Sequence, residues 1–522
     1  MPQFTIDGRV MTVPDGATVL DAAQLAEIEI PTLCHLPGRP PETSCFVCLV
    51  RVEGIGRFLP ACATRVTEGM VVHNASDEVR DARRTAIELL LSDHLGDCVA
   101  PCQGVCPAHM DIPKMMELTA KGQFRDAHIV VKQAIPLPAI LGRVCPELCE
   151  KGCRRAAHDG SLSICMTKRF LADHDLETGD PYLPPMDPAS GRSVAVVGAG
   201  PAGLSAAYYL RTLGHACVVY DDREAPGGML RYGTSRDVLP LKVLDDEIAL
   251  IERMGAVFRS GFRIGEQASV EELQQDCDTV ILASGDAKSG GHGYEGVDRG
   301  PQGIKVDRRT LMTSRPGVFA AGGALLPLKH AIRALADGRI AAYSASEYMT
   351  GVHPGETDPG FSVHVGKLDA DTVRPYLRFG SSDSRQTPEG GCSAGFTIAE
   401  VQREASRCLQ CGCPVASTCS LRAASQEYGA QPLHFSGARR EFGYDDSHPD
   451  IIFDSGKCTA CGICVRIAAE GREELGVGFT GRGFDVRTSV PFSSAMVEGL
   501  RDVALACADA CPTGALVRKT DL

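Results

Sequence analysis

The stretch 192–222, RSVAVVGAGPAGLSAAYYLRTLGHACVVYDD, runs from an apolar segment into glycines and then into an alanine-rich one. SVAVVG reads as a buried strand, Gly198-x-Gly200-x2-Gly203 as a turn, and the residues after it as a helix. Gly198 permits the tight turn, Gly200 lets the backbone approach a pyrophosphate, and Gly203 lets helix and strand pack closely. A second strand, CVVY, ends in Asp221, placed to accept from a pair of ribose hydroxyls. Strand, turn, helix, second strand and terminal acid together predict a parallel α/β dinucleotide-binding unit. FAD and NAD share this fingerprint, so it does not choose between them.

Working downstream, APGGMLRYG (225–233) supplies Gly227 and Gly228, VILASG (280–285) reads as a buried strand ending at Gly285, and PGVFAAGG (316–323) as another ending at Gly322-Gly323. Only the 32 residues 286–317 stand between Gly285 and Val318. A βαβ unit needs more than about 30 residues for its supersecondary element alone. APGGMLRYG, DTVILASGD and PGVFAAGG resemble flavin-binding segments of the glutamate synthase small subunit. The resemblance implies FAD held by Gly198, Gly200, Gly203, Asp221, Gly227, Gly228, Gly285, Gly322 and Gly323, with the helix in KHAIRALADGRIAAYSA (329–345) packing its N-terminus toward the flavin. This chain departs from that family twice: Gly-Gly replaces the usual Gly-Asp at 322–323, and the second, NAD(P)H-binding Rossmann unit that follows ASGD in the family is missing.

At 522 residues and 44% apolar the chain can bury several cores. Its net charge of −13, without a long Lys/Arg run, excludes a nucleic-acid surface. MPQFTIDGRVMTVPDG has no basic region followed by an apolar one, and no apolar run approaches the roughly 20 residues of a spanning helix. A soluble, cytoplasmic protein with no direct membrane span is expected.

The 23 cysteines cluster in short groups, which suits ligation of inorganic clusters better than disulfides. After two strands joined by Asp7-Gly8 and a helix capped by Thr18, Cys34-x10-Cys45-x2-Cys48-x13-Cys62 resembles the plant-type [2Fe–2S] domain at the N-terminus of the large iron–sulfur subunit of complex I. A structural zinc site is the alternative for four thiols. HLGDCVAPCQGVCPAHMDIP (94–113) and GRVCPELCEKGC (142–153) then offer His94, Cys98, Cys102, Cys106, Cys145, Cys149 and Cys153 at four-residue steps, too many donors for one cube. These segments resemble the helical N-terminal domain of the glutamate synthase small subunit and of dihydropyrimidine dehydrogenase. The resemblance implies one [4Fe–4S] cluster on Cys98, Cys102 and Cys153 and another on Cys106, Cys145 and Cys149. His94 stands where the family has a further cysteine. The family's final Glu or Gln ligand falls on Lys168, so Cys165, one turn earlier, is taken as its substitute.

Near the C-terminus, Cys408-x2-Cys411-x-Cys413-x5-Cys419 reads as one further [4Fe–4S] site, with zinc as the alternative. GKCTACGICVRIA (456–468) and the remote Cys511-Pro512 place a last cluster on Cys458, Cys461, Cys464 and Cys511, resembling a module of the complex I large iron–sulfur subunit. Cys217, Cys277, Cys392 and Cys507 are left over.

The expected fold is multidomain α/β and α+β. It comprises a β-grasp ferredoxin domain (1–75), a helical two-cluster domain (76–185), an FAD-binding Rossmann-like domain lacking the inserted NAD(P)H domain (192–350), a connecting arm (351–400), a Cys-rich segment (401–449) and a ferredoxin-like domain (450–522). FAD, one [2Fe–2S] and four [4Fe–4S] clusters imply an electron-transfer subunit that exchanges electrons with other oxidoreductase subunits or ferredoxin, any NAD(P)H being bound by a partner. The alternatives are a self-contained NAD(P)H oxidoreductase, with or without bifurcation, and a scaffold with vestigial or zinc-filled sites.

Overall fold

The computed structural model describes residues 1–285, 294–327, 329–353, 355, 360–435, 437–438, 440 and 442–521; the pattern-free stretch 286–293 lies outside the described residues. The chain divides into two units. One comprises Met1–Val99, Gly360–Gly366 and Gly412–Leu522, the other Ala100–Pro359 and Lys367–Cys411. The second is therefore inserted, along the chain, into the first.

The first unit begins with strands β1 (Gln3–Ile6), β2 (Arg9–Thr12), β3 (Leu49–Val52), β4 (Phe58–Pro60) and β5 (Val71–His73), ordered β2-β1-β5-β3-β4. Asp7 and Gly8 both take positive φ, 46° and 81°, the mirror-image turn that Asp-Gly favours between antiparallel strands. Thr18 and Asp21 form a reciprocal capping box on the helix Val19–Leu25, which packs Leu20, Ala22 and Ala23 against Phe4, Ile6, Val50 and Val72. The helix Asp77–Ser92 buries Arg83, whose guanidinium donates to the Leu49 carbonyl, the Tyr428 hydroxyl and Asn74 Oδ1. At the C-terminus a sheet of Tyr444–Asp445, Ile451–Asp454 and Leu516–Arg518 shares an apolar core with the helices Ile463–Glu470 and Ala504–Asp509.

The second unit is built on strands β6 (Ser193–Val197), β7 (Ala216–Asp221), β8 (Val257–Ser260), β9 (Thr279–Leu282) and β10 (Val318–Ala320), all parallel and ordered β10-β9-β6-β7-β8. Val280 pairs with Val318, so the chain after Gly285 returns to the same sheet beside the strand it left. Among the described residues of 294–317 there are isolated bridges and no helix. The helices Pro201–Thr212 and Ala331–Thr350 pack so closely that a Cβ on Gly338 would lie 2.2 Å from the Ala202 carbonyl oxygen. A helical lobe of Ile112–Ala120, Phe124–Ala134, Pro138–Val144 and Ile164–Glu177 shares the same core.

Residues 380–408, read in part as a connecting arm, are tied into this lobe by buried polar contacts. The fully buried Arg407 reaches Glu404, Asp159 and the carbonyl of Gly160. Arg155 donates to Asp159, to the Arg407 carbonyl at 2.5 Å and to the Ser381 carbonyl. Glu404 also accepts from the Ser163 and Gln386 amides, and Arg385 donates to Glu150. A Gly/Ser/Pro-rich composition conceals such an element because no hydrophobic period marks it.

Candidate redox centres and nucleotide cradle

Twenty candidate donors fall into five groups, two of which differ from the sequence expectation. In the first unit Cys34, Cys45, Cys48 and Cys62 are all buried, and Cys48 Sγ lies 3.4 Å from Cys62 Sγ. Within each hydrogen-bonded pair one thiol is lowered and the other raised: the Cys34–Cys45 contact lowers Cys34 and raises Cys45, and the Cys48–Cys62 contact lowers Cys48 and raises Cys62. Arg466 fixes the loop by donating to the carbonyl of Cys34 at 2.9 Å.

Cys458, Cys461, Cys464 and Cys511 line one cavity, together with Cys507. Burial pushes Cys461 up to about 12 and raises Cys464 as well, so four thiolates would be held there only with compensating positive charge. Cys507, left over in the sequence, donates to the Cys464 carbonyl.

The third group combines donors that the sequence reading divided between two sites. Cys98 has Cys413 and Cys419 as its thiol neighbours, and the three line a cavity with His94 and Lys457. The Cys413 amide donates to the Cys98 carbonyl at 3.2 Å, so the points where the chain leaves and re-enters the first unit lie side by side. Gly514 is the residue this packing demands, since a Cβ there would lie 2.5 Å from Cys413 Sγ.

In the second unit Cys102 is surrounded by Cys408, Cys153 and Cys411, and burial followed by their mutual repulsion raises its pKa. Cys408 is pushed up to about 12 by burial. Within the first unit Cys98 thus neighbours Cys413 and Cys419, and within the second Cys102 neighbours Cys153, Cys408 and Cys411, where the resemblance implied Cys98 with Cys102 and Cys153 and the sequence read 408–419 as one site. Cys408 and Cys411 complete one group, while Cys413 and Cys419 complete another. The physical reason is steric as well as topological. Gly152, whose Cβ would meet Val105 Cγ2 at 2.7 Å, brings Cys153 beside Cys102, and the Arg155–Arg407 network carries Cys408 to them. Local spacing could not reveal this pairing, because the segments are separated by the whole flavin-type sheet.

The remaining group is Cys106, Cys145, Cys149 and Cys165. A hydrogen bond with Cys165, then burial, raises Cys145, and all four thiols act on the buried Lys168. Gly142 allows the approach of the helix carrying Cys165, as its Cβ would lie 2.5 Å from Arg169 Cβ. Glu147 and Glu150 place carboxylate oxygens within 4.8 Å of the Cys165 sulfur. Glu150 is already engaged by the Cys165 amide and Arg385.

The nucleotide cradle is dictated by close backbone approaches. Gly198 has φ 109°, and its Cβ would lie 2.3 Å from the Ala283 carbonyl oxygen; a Cβ on Gly203 would lie 1.8 Å from the Gly198 carbonyl oxygen. Gly228 and Gly200 meet backbone to backbone, and Gly323 approaches Gly285. Asp221 accepts from the Ala199 amide at 2.6 Å and from the Arg223 amide at 2.9 Å, which places its carboxylate at the strand end that faces the turn. The Gly322 amide, in the segment that lacks the usual Asp, donates to Asp337 at 3.2 Å, and burial raises that carboxyl to about 6. The glycine-lined turn, the helix N-terminus at Pro201 and the strand-end acid fit a dinucleotide pyrophosphate and ribose.

Three family models match the chain: a 2Fe-2S iron-sulfur cluster binding domain at residues 1–77, dihydropyrimidine dehydrogenase domain II, 4Fe-4S cluster, at 91–180, and an NAD(P)-binding Rossmann-like domain at 196–247. The beta subunit of NADPH-Fe(3+) oxidoreductase of Geobacter sulfurreducens is 39% identical over 208 residues, 39% of this chain and 31% of that protein. The chain is a homologue of oxidoreductase subunits. The NAD-dependent dihydropyrimidine dehydrogenase subunit PreT of Escherichia coli is 36% identical over 36% of this chain and 45% of its own length. The glutamate synthase [NADPH] small chain of Azospirillum brasilense is 33% identical over 40% of this chain and 45% of its own length. The chain thus spans less than half the length of these relatives. Iron–sulfur domains and a Rossmann-like domain of mixed α/β content are present. Among the described residues no helix is long and apolar enough to cross a membrane.

Proposed function

We propose that this chain is an iron–sulfur flavoprotein that relays electrons within a multisubunit oxidoreductase. It holds FAD, a [2Fe–2S] cluster on Cys34, Cys45, Cys48 and Cys62, and four [4Fe–4S] clusters. Their donors are Cys106, Cys145, Cys149 and Cys165; Cys102, Cys153, Cys408 and Cys411; His94, Cys98, Cys413 and Cys419; and Cys458, Cys461, Cys464 and Cys511. The observation that carries this reading is the convergence of these donors into five groups of four, with raised thiol pKa values in the buried groups that metal would offset. When bound, FAD converts between two-electron and one-electron transfer, and clusters pass single electrons.

The chain's own residues then position and insulate. The cradle glycines admit the nucleotide backbone, and Asp221 orients its ribose. In the first unit, the Cys34 and Cys45 loop shares one apolar patch with Cys98, Cys419 and Cys461, which supports a continuous one-electron path inside that unit.

A nicotinamide nucleotide appears in the names of the relatives. Among the described residues a GxGxxG stands between a strand and a helix only at 198–203, and those of 294–317 form no second α/β unit, which supports a partner subunit as the nicotinamide site. Anaerobic mixing of the purified, iron- and flavin-replete chain with NADH or NADPH tests the reading. Visible absorbance should persist with either nucleotide and bleach with a low-potential one-electron donor. Rapid bleaching by a nucleotide overturns the relay, and an iron content near zero overturns the cluster assignment.

A further inference from the structure

Lys168 lies at the position where the resembled family places its last cluster ligand, yet it offers an ammonium rather than an oxygen. It is 2% exposed on the helix Ile164–Glu177, three residues after Cys165, so the two side chains share one face. Its Nζ donates toward Cys165 Sγ at 3.9 Å, and the thiols of Cys165, Cys145, Cys149 and Cys106 are the groups that act most strongly on it after burial. A buried ammonium needs negative charge in place of water. Around Lys168 that charge would come from these sulfurs as thiolates of a bound cluster rather than from a carboxylate. Glu150, the buried acid of this region, is taken up by Arg385 and the Cys165 amide.

The geometry points to Lys168 as the residue that sets the reduction potential of the cluster on Cys106, Cys145, Cys149 and Cys165. This inference rests on that group holding a cluster. A cluster bound by four thiolates gains one negative charge when it takes up an electron, so a cation fixed against its sulfurs stabilises the reduced form more than the oxidised one. The N–H···S contact adds to the same effect. Lys168 touches a ligand sulfur without ligating, and its role is to tune where the electron rests.

The experiment is an EPR-monitored redox titration of the holoprotein, with iron counted for every variant. Cys165→Ala identifies the signal of this site by its loss. Lys168→Met and Lys168→Leu should keep the wild-type iron content and move the midpoint of that one signal downward, leaving the other clusters in place, while Lys168→Arg should stay near wild type. Full iron with an unmoved midpoint in the Met and Leu variants overturns the role of Lys168 alone. Loss of the site's iron in all three Lys168 variants makes the residue structural and overturns it likewise. If Cys165→Ala removes no iron and no signal, the cluster assignment itself fails, and the inference falls with it.

Discussion

Two thiol groups of the second unit have the same donors and opposite surroundings. Cys106, Cys145, Cys149 and Cys165 come from 60 consecutive residues and close around a lysine that presents its ammonium to them. Cys102, Cys153, Cys408 and Cys411 span more than 300 residues, and the nearby guanidiniums of Arg155 and Arg407 are committed to Asp159 and Glu404. In the first group positive charge is spent on the sulfurs; in the second it is spent on holding the segment that delivers them. A cluster site therefore needs both assembly and tuning, and a buried basic side chain serves either purpose according to which anion it meets.

The comparison breaks most visibly at the ligands. Cys165→Ala and Cys411→Ala should each remove about four iron atoms per chain, measured by iron analysis, and should abolish different EPR signals. A single signal lost in both variants would merge the two groups. Next in size is Arg407→Leu, which leaves the buried Glu404 beside no guanidinium. It should cost about 3–5 kcal/mol by denaturant unfolding and empty the Cys102 group before the Cys106 group. Smaller effects are expected from Gly142→Ala and Gly152→Ala. Each adds a methyl against packed neighbours at a cost of about 1–3 kcal/mol, and the first should loosen the Cys165 site while the second loosens the Cys102 site. Selective iron loss on mild chelation distinguishes them.

The smallest effect concerns pH. Glu247 is fully buried, accepts from the Ala139 and Ile140 amides at the start of the helix leading to Cys145, and has its carboxyl raised by burial to about 7. Its folded pKa lies above its unfolded value, so the stability it contributes is complete below about pH 4.5 and is lost as pH rises through about 7. Glu247→Gln should flatten the melting temperature against pH across that window; an unchanged slope refutes the assignment.

How far the sequence could be read follows the same division. The Asp7-Gly8 turn, the glycine fingerprint at 198–203, and the groups at Cys34–Cys62 and Cys458–Cys511 are legible because their geometry is set within one or two neighbouring segments. Cys165 was reachable too, since a helix places residues three apart on one face and Lys168 could not serve. The pairing of His94 and Cys98 with Cys413 and Cys419 was not, because 314 residues intervene and no local period records where a chain returns. The Arg155, Arg407 and Glu404 network was equally hidden, being polar residues in a segment whose composition suggests a loop.

The side-by-side exit and re-entry of the chain at Cys98 and Cys413 sets an order of maturation during synthesis. The donors of the [2Fe–2S] group are all present once Cys62 has been made, but the His94 group waits for Cys419. At about 5–20 residues per second that delay is tens of seconds. Cys98 spends this interval as an open thiol while the parallel sheet of the second unit is made, so a cluster on these donors would be loaded late, with its first thiol open to oxidation in the nascent chain.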